Sequence, residues 1–263
     1  MSEPSVIVTK DARGVATVAI NRPQVRNAID DTVIRSLTDA FKTLGADDET
    51  RIVVLTGRGV AFSAGADLDW MRRMAAGGEA ENFASAKMIS AMLRTLNELP
   101  KPTIARINGA AYAAGVGLIA ACDIAVAVEE AVFSISEVRI GLVPSTISPY
   151  VLAAIGARAA RRYFLTGEPY SAADACRFGL VHKVVPQTGL DEAIEGVISA
   201  LLAGGPHSQS RAKRLIAEIA GRPVDDALEA LTVRSIAEAR ASPEGREGME
   251  AFLNKRKPAW RHG

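Results

Sequence analysis

Three features of the chain predict an α/β fold. Short apolar runs rich in β-branched residues alternate with helical patterns as far as about residue 205. The run Ile52-Val53-Val54-Leu55 is apolar at successive positions, as a strand covered on both faces requires. Glycine- and alanine-rich segments follow several of these runs, in the place of strand-to-helix turns. Beyond them, residues 206–263 are helical in pattern and include the basic run Lys255-Arg256-Lys257. The chain is read as a core over residues 1–205 and a helical region over residues 206–263.

Taken in order, Val15 to Ile20 reads as a strand closed by Asn21-Arg22-Pro23. Asp30 or Asp31 caps a helix whose apolar side is Val33, Ile34, Leu37, Phe41 and Leu44, with Gly45 as the stop. Arg51 to Thr56 is a second strand. A helix from about Glu79 to Leu99 is broken by Pro100-Lys101-Pro102. Thr103 to Ile107 is a strand, followed by a short helix to Ala121. Ile124 to Val128 and Ala131 to Ile135 are strands, and helix covers roughly Ser148 to Leu165. Ser171 to Asp174 has the pattern of a capping box, its helix ending at Gly179. Leu180 to Val185 is the last strand. From Leu190 onward the pattern is helical, with a helix start at Ser242-Pro243-Glu244.

Composition narrows the function classes. Of 263 residues, 48% are hydrophobic and 23% charged, the balance of a globular enzyme with a large core. A net charge of +1 gives no argument for nucleic acid or an anionic membrane as partner. The two cysteines, Cys122 and Cys176, supply neither a disulfide framework nor a zinc site, and read as small buried hydrophobes. No apolar run reaches the roughly 18 residues that span a bilayer, and Met1-Ser2-Glu3-Pro4 does not open a secretory signal. A reducing cytoplasmic compartment is the expectation. His182, His207 and His262 have no partner at metal-ligand or triad spacing, so no metal is expected.

Two segments carry the chemistry: Phe62-Ser63-Ala64-Gly65-Ala66-Asp67-Leu68, and Ile107-Asn108-Gly109 running on to Cys122-Asp123-Ile124. Small residues there allow a ligand close to the main chain and leave backbone N–H groups to face it. An oxyanion is the group such amides suit. Tight packing explains the same composition, and Asp67 reads first as a helix cap. The second segment lacks both the dinucleotide-binding glycine spacing and a phosphate-loop lysine. Glu137, just past an apolar strand, is either a surface charge or an acid/base.

In this order the segments resemble the crotonase superfamily, the enoyl-CoA hydratases and isomerases. The resemblance runs from Asn21-Arg22-Pro23 and Asn27-Ala28 through both segments to Ser136-Glu137, Pro144, Leu165-Thr166-Gly167, Gly179-Leu180-Val181 and the tail Ala251 to Pro258. The stretch Ser136 to Pro144, with Thr146 to Tyr150 and Arg161 to Thr166, is similar to bacterial methylglutaconyl-CoA hydratases of leucine catabolism. The resemblance implies a spiral of ββα units with a helical C-terminal trimerisation region, as a homotrimer or dimer of trimers. The implied substrate is an acyl-CoA thioester, with no further cofactor since coenzyme A is part of the substrate. The N–H groups of Ala66 and Ala114 would hold the thioester oxygen, Glu137 would be the acid/base, and the N–H of Ser145 would hold the attacking water. Val25, Arg26 and Ala64 would contact the coenzyme, with Phe252 and Lys255 reaching it from a neighbouring subunit.

Two positions depart from the family pattern. Ala114 stands where a glycine is usual, harmlessly if the donor is main chain. Gly117 stands where typical hydratases carry a second glutamate, so Glu137 has to move both protons or be helped by an ordered water or a substrate group. Gly117→Glu is expected to restore the missing carboxylate where the pocket has room. The implied reaction is hydration of an enoyl-CoA, 3-methylglutaconyl-CoA foremost. A Δ3,Δ2-enoyl-CoA isomerase and a non-catalytic CoA- or protein-binding member remain open.

Overall fold

The computed structural model describes residues 3–261; Met1, Ser2, His262 and Gly263 lie outside the described residues. Strands β1 (Val6–Lys10), β2 (Val15–Ile20), β3 (Ile52–Gly57) and β4 (Ala61–Ser63) are followed by β5 (Thr103–Ile107), β6 (Ala110–Tyr112), β7 (Ile124–Val128) and β8 (Val132–Ser134). The short β9 (Tyr170–Ser171) and β10 (Lys183–Val185) complete the strands. Helices α1 (Asp31–Ala46), α2 (Leu68–Ala76), α3 (Glu79–Asn97), α4 (Ala114–Ala121), α5 (Ser148–Thr166) and α6 (Ala172–Arg177) are interleaved with them. Helices α7 (Leu190–Leu202), α8 (Pro206–Ile219), α9 (Asp226–Ala241) and α10 (Pro243–Leu253) close the chain.

The strands form two sheets. One runs β1-β2-β3-β5-β7-β10, parallel except for β1; the other runs β4-β6-β8-β9, parallel except for β9. Chain order explains the pairing. β3-β4, β5-β6 and β7-β8 each place a long strand in the large sheet, then a short one in the small sheet, before a helix crosses back. This is the expected spiral of ββα units. Parallel neighbours cannot be joined by a hairpin, so every turn of the spiral needs its helix.

Burial follows the sequence pattern closely. All six residues of β3 are buried, as its two-sided apolar run requires, and α1 buries the five apolar residues expected of it. Phe41, Phe62, Phe133, Met92, Leu93 and Leu96 are among the largest fully buried side chains of the core. Asp30, not Asp31, caps α1 by accepting the Val33 N–H at 2.9 Å. Helix α1 runs through Gly45 to Ala46, so Gly45 is not its stop; it faces Pro100 and Leu99 at ordinary contact distance. Ser171 caps α6 through the Asp174 N–H, and Ser242 caps α10 through the Gly245 N–H. The last strand begins at Lys183 rather than Leu180. Leu180 and Val181 turn their N–H groups back to Ala175, and His182 Nδ1 takes the Ala125 N–H that a ladder carbonyl would otherwise accept.

The C-terminal helices bury little within the chain. α8 buries no residue, α9 buries Leu228 and α10 buries Ala251. Among the described residues, no helix is long and apolar enough to cross a membrane.

Asn27 anchors the turn that precedes α1. It is fully buried at φ 58°, a left-handed conformation that asparagine tolerates better than most residues. Its amide donates to the carbonyls of Arg58 and Ala61 at 2.8 Å each, and its Oδ1 accepts the Arg22 N–H at 3.0 Å. Asn27→Ala strips three bonds, one of them to a buried carbonyl, and leaves in the left-handed position a residue without asparagine's local hydrogen bonding. It is expected to destabilise the protein by about 2–4 kcal/mol, read as a lower denaturation midpoint at unchanged slope.

Candidate active site

The small sheet places three loops side by side. β4, β6 and β8 are parallel neighbours, so their carboxyl ends lie together. The chain leaves β4 through Ala64-Gly65-Ala66 into α2, leaves β6 through Ala113 into α4, and leaves β8 through Ile135-Ser136 to Glu137. Crevices at the carboxyl ends of parallel strands are where open α/β sheets bind ligands.

The first two loops touch closely. Gly65 lies at φ 83°, where a Cβ would sit 3.0 Å from the Tyr112 carbonyl and 3.2 Å from the Ala113 methyl. Gly115 faces the Ser63 side chain at 3.0 Å in the same sense. Ala66 is held from behind by Ile29, whose N–H bonds Gly65 O at 2.7 Å and whose carbonyl accepts the Asp67 N–H at 2.9 Å. Among the described residues the Ala66 N–H has no protein acceptor. Ala113 caps α4 at φ 48°, ψ −114°, a conformation outside the ordinary regions for a residue with a Cβ. Its N–H goes to Ser134 O at 2.9 Å, and the helix starts with the Ala114 N–H unpaired. Two half-buried amides thus stand free on adjoining loops, one of them at the positive end of a helix. This is what stabilising an oxyanion demands.

Glu137 opens a 3₁₀ turn, Glu137–Ile140, after β8. Its Oε2 is buried and has no hydrogen-bond partner. Burial pushes its carboxyl above the usual glutamate range, against a weaker opposing effect from its own N–H. A carboxyl so desolvated, on the loop that follows the strand next to β6, is suited to acid–base work.

The expected repair of the second glutamate finds no room. Gly117 lies on α4 one turn beyond Ala114, and a Cβ there would overlap Ile147 Cγ2 and come within 2.9 Å of Ile147 Cβ. Leu93 is next, at 3.6 Å. The space toward which Gly117 would extend a carboxylate is filled with hydrocarbon, so position 117 cannot supply a partner for Glu137. Ile147 is the residue that sequence reading missed, since nothing in the run Thr146-Ile147-Ser148 links it to a glycine thirty positions earlier.

The remaining candidates divide. Arg26 lies at φ 52°, and its carbonyl accepts the Ala64 N–H at 2.9 Å, which draws Val25, Arg26 and Ala64 to the edge of the first loop. Val25 and Arg26 are exposed there. Ser145 does not start a helix, which begins at Ser148; its N–H bonds the Val143 carbonyl at 2.7 Å and is not free for water. Phe252 is 83% exposed at the end of α10, with Lys255 exposed beside it at φ 51°. Nothing in the chain itself brings either to the amides.

Asp67 is the α2 cap, accepting from the Asp69 and Trp70 N–H groups at 2.9 and 3.1 Å. It also pairs with Arg22 at 3.0 Å, and burial opposes these bonds without preventing a lowered carboxyl. Asn108 likewise holds loops together, its amide donating to Gly59 O at 2.8 Å. Both cysteines are half-buried rather than buried; desolvation, then Asp123, pushes the Cys122 thiol up to about 12 and leaves it no nucleophile.

Taken together, the ββα spiral, the paired amides and the desolvated carboxyl form an arrangement suited to stabilising an oxyanion. The chain belongs to the enoyl-CoA hydratase/isomerase family, whose profile matches residues 10–263. It is similar to the crystal structure of an enoyl-CoA hydratase from Shewanella pealeana, with TM-score 0.94 and 38% identity over 97% of this chain and 96% of that one. An enoyl-CoA hydratase of Mycobacterium smegmatis superposes with TM-score 0.93 at 36% identity, covering 99% of this chain and 100% of that one. The hydroxycinnamoyl-CoA hydratase-lyase of Pseudomonas fluorescens is 34% identical over 196 residues, 73% of this chain and 71% of the relative.

Gly117→Ala is expected to cost about 1–3 kcal/mol through overpacking, with no gain in turnover. Combined with Ile147→Ala it should cost less than the two singles summed, since the clash is shared; denaturation midpoints of the four proteins measure this. Glu137 makes a second expectation. Its native carboxyl binds a proton more tightly than the unfolded one, so the charged form weakens folding above the ordinary glutamate pKa of 4.5. Glu137→Gln should therefore raise the melting temperature at neutral pH, with the gain shrinking as pH falls toward 4.5.

Proposed function

We propose that the protein adds water across the α,β double bond of an enoyl-CoA thioester, with 3-methylglutaconyl-CoA as the specific substrate. The observation that carries the reading is the partnerless, buried Glu137 oxygen at the carboxyl end of β8, next to the loops bearing the free Ala66 and Ala114 amides. The thioester oxygen would accept both N–H groups. As water attacks the β-carbon, Glu137 in its charged form takes a water proton and the electron pair of the double bond moves onto that oxygen as an enolate. The enolate then collapses, and the same carboxyl returns the proton to the α-carbon. One water is consumed and Glu137 ends as it began. The amides act only where charge grows, and losing one such donor typically costs roughly 3–4 kcal/mol of barrier.

The specific acyl group rests on the similarity of Ser136 to Pro144 and Thr146 to Tyr150 to methylglutaconyl-CoA hydratases. The sparse burial of α8, α9 and α10 supports a subunit interface there, and the exposure of Phe252 and Lys255 suits contact with a neighbour's coenzyme. One observation favours a second reading within the family. The filled space at Gly117 leaves a single carboxyl, which suffices for moving a proton between carbons in a Δ3,Δ2-enoyl-CoA isomerase.

A panel of enoyl-CoA thioesters, assayed in ¹⁸O-labelled water, separates the two. Label in the β-hydroxyacyl product supports hydration, whereas a shifted double bond without label supports the isomerase. On the best substrate, Glu137→Gln should lower turnover by about 10²–10⁴-fold, with the fold retained by circular dichroism. Turnover within a few-fold of the unmodified protein would remove Glu137 from the mechanism.

A further inference from the structure

Among the described residues, four other than glycine lie at positive φ: Arg26, Asn27, Ala113 and Lys255. Arg26 sits at ψ 40°, in the left-handed region that non-glycine residues visit in turns. Ala113 does not. Its φ 48°, ψ −114° mirrors the extended region, which glycine enters freely and a residue with a Cβ enters only under strain. Strain of this kind persists where surrounding contacts over-determine the backbone, and it gathers at functional sites.

The three loops of the site meet at Ala113. Its N–H reaches Ser134 O of β8 at 2.9 Å, three residues before Glu137. Its carbonyl accepts the Gly117 N–H at 3.1 Å and so starts α4. That carbonyl and the Ala114 N–H share one trans peptide plane and point opposite ways, so the bond from Gly117 aims the Ala114 amide. The Ala113 methyl lies against the first loop, where a Cβ built on Gly65 would stand 3.2 Å from it. The methyl thus occupies space that Gly65 leaves open, one residue from Ala66. A glycine at 113 would keep both backbone bonds and lose the strain. Only the methyl contact would go.

We propose that Ala113 is a positioning residue for the oxyanion site. Its methyl, set against Gly65, holds the peptide that presents the Ala114 N–H at a fixed spacing from the Ala66 N–H, with backbone strain as the cost. The proposal rests on the reading of these two amides as donors to the thioester oxygen. Two donors stabilise one oxygen fully only when both reach it without reorganising as charge forms. A Cβ at position 113 narrows the rotations open to that peptide, whereas glycine widens them. The contact of Gly115 with Ser63 joins the same two loops and would survive the change, so the loops stay together while the amide loosens. The coenzyme portion of the substrate is held elsewhere, so the loss falls on the transition state rather than on binding.

The test is Ala113→Gly on the best substrate of the panel. Relief of strain should raise the melting temperature by about 2–4 °C. At the same time kcat should fall about tenfold, less than the roughly 10²–10³-fold of losing a donor outright, with KM unchanged. Ala113→Ser keeps the Cβ, and should retain kcat with no rise in melting temperature. Ala120→Gly, farther along α4, controls for a glycine in this helix: it should melt lower with kcat unchanged. A second readout needs no turnover. Butyryl-CoA labelled with ¹³C at the thioester carbonyl is bound to each protein and its infrared band recorded. Two aligned donors lower the carbonyl frequency, and the lowering should be smaller in Ala113→Gly than in the unmodified protein or in Ala113→Ser. A glycine variant with the full band shift and undiminished kcat overturns the inference. So does one that loses kcat while melting lower, which is the mark of a merely structural role. If the band shifts in the unmodified protein, either result removes Ala113 alone; a band that does not move there removes the oxyanion reading and this inference with it.

Discussion

The site depends on one close approach, that of the Gly65 loop to the Ala113 turn. Gly65 meets the Tyr112 carbonyl and the Ala113 methyl, while Gly115 meets Ser63. The contact forces two strand-to-helix crossings together and leaves the Ala66 and Ala114 amides free beside each other. Around it the chain is heavily braced. Ile29 grips Gly65 and Asp67, Arg22 pairs with Asp67 and Asp30, and Asn27 and Asn108 bind the carbonyls of the Gly57–Ala61 turn. Backbone donors are useful only when they need not reorganise, and this bracing fixes them before substrate arrives.

Several conspicuous motif residues proved to be scaffold. Asp67 caps α2, and Asp123 takes the Thr103 N–H and hydroxyl while pairing with Lys213. Their polarity serves the turns that present main-chain groups. The proposed chemistry uses atoms common to every residue, together with a single carboxyl. Such a site has little side-chain signature, and its small residues are as well explained by tight packing until the loops are seen together.

The electrostatics of Glu137 follow from isolation rather than from a charged partner. The other shifted carboxyls are lowered by hydrogen-bond donors, as Asp47 is by Lys10 and Glu247 by Arg256. Glu137 moves the other way because it is desolvated with its Oε2 unpaired. Ile147 against Gly117 extends the same apolar character to the facing helix. A lone acid/base in hydrocarbon surroundings exchanges its proton at less extreme pH than one held by an ion pair.

Much of the architecture was legible in the residues. The all-apolar Ile52 to Leu55 run, the exact strands Thr103–Ile107 and Ile124–Val128, the caps at Asp30, Ser171 and Ser242, and the helical character after Leu190 all follow from local periodicity and side-chain chemistry. The short strands β4, β6 and β9 were not visible, because two or three residues carry no period. Neither was the structural repeat of ββα units, whose turns share topology without sharing sequence. Glu137 could be picked out as a candidate, but its burial and its missing partner come from contacts distant in the chain. The same is true of Ile147, which closes the space at Gly117, and of the Ser145 N–H, which is spent on Val143. The sequence by itself determined which segments become strands, helices and caps, since those depend on neighbours a few residues away. Which atoms stay unpaired and which spaces are filled was decided only by the tertiary structure, because both depend on what the rest of the chain brings to them.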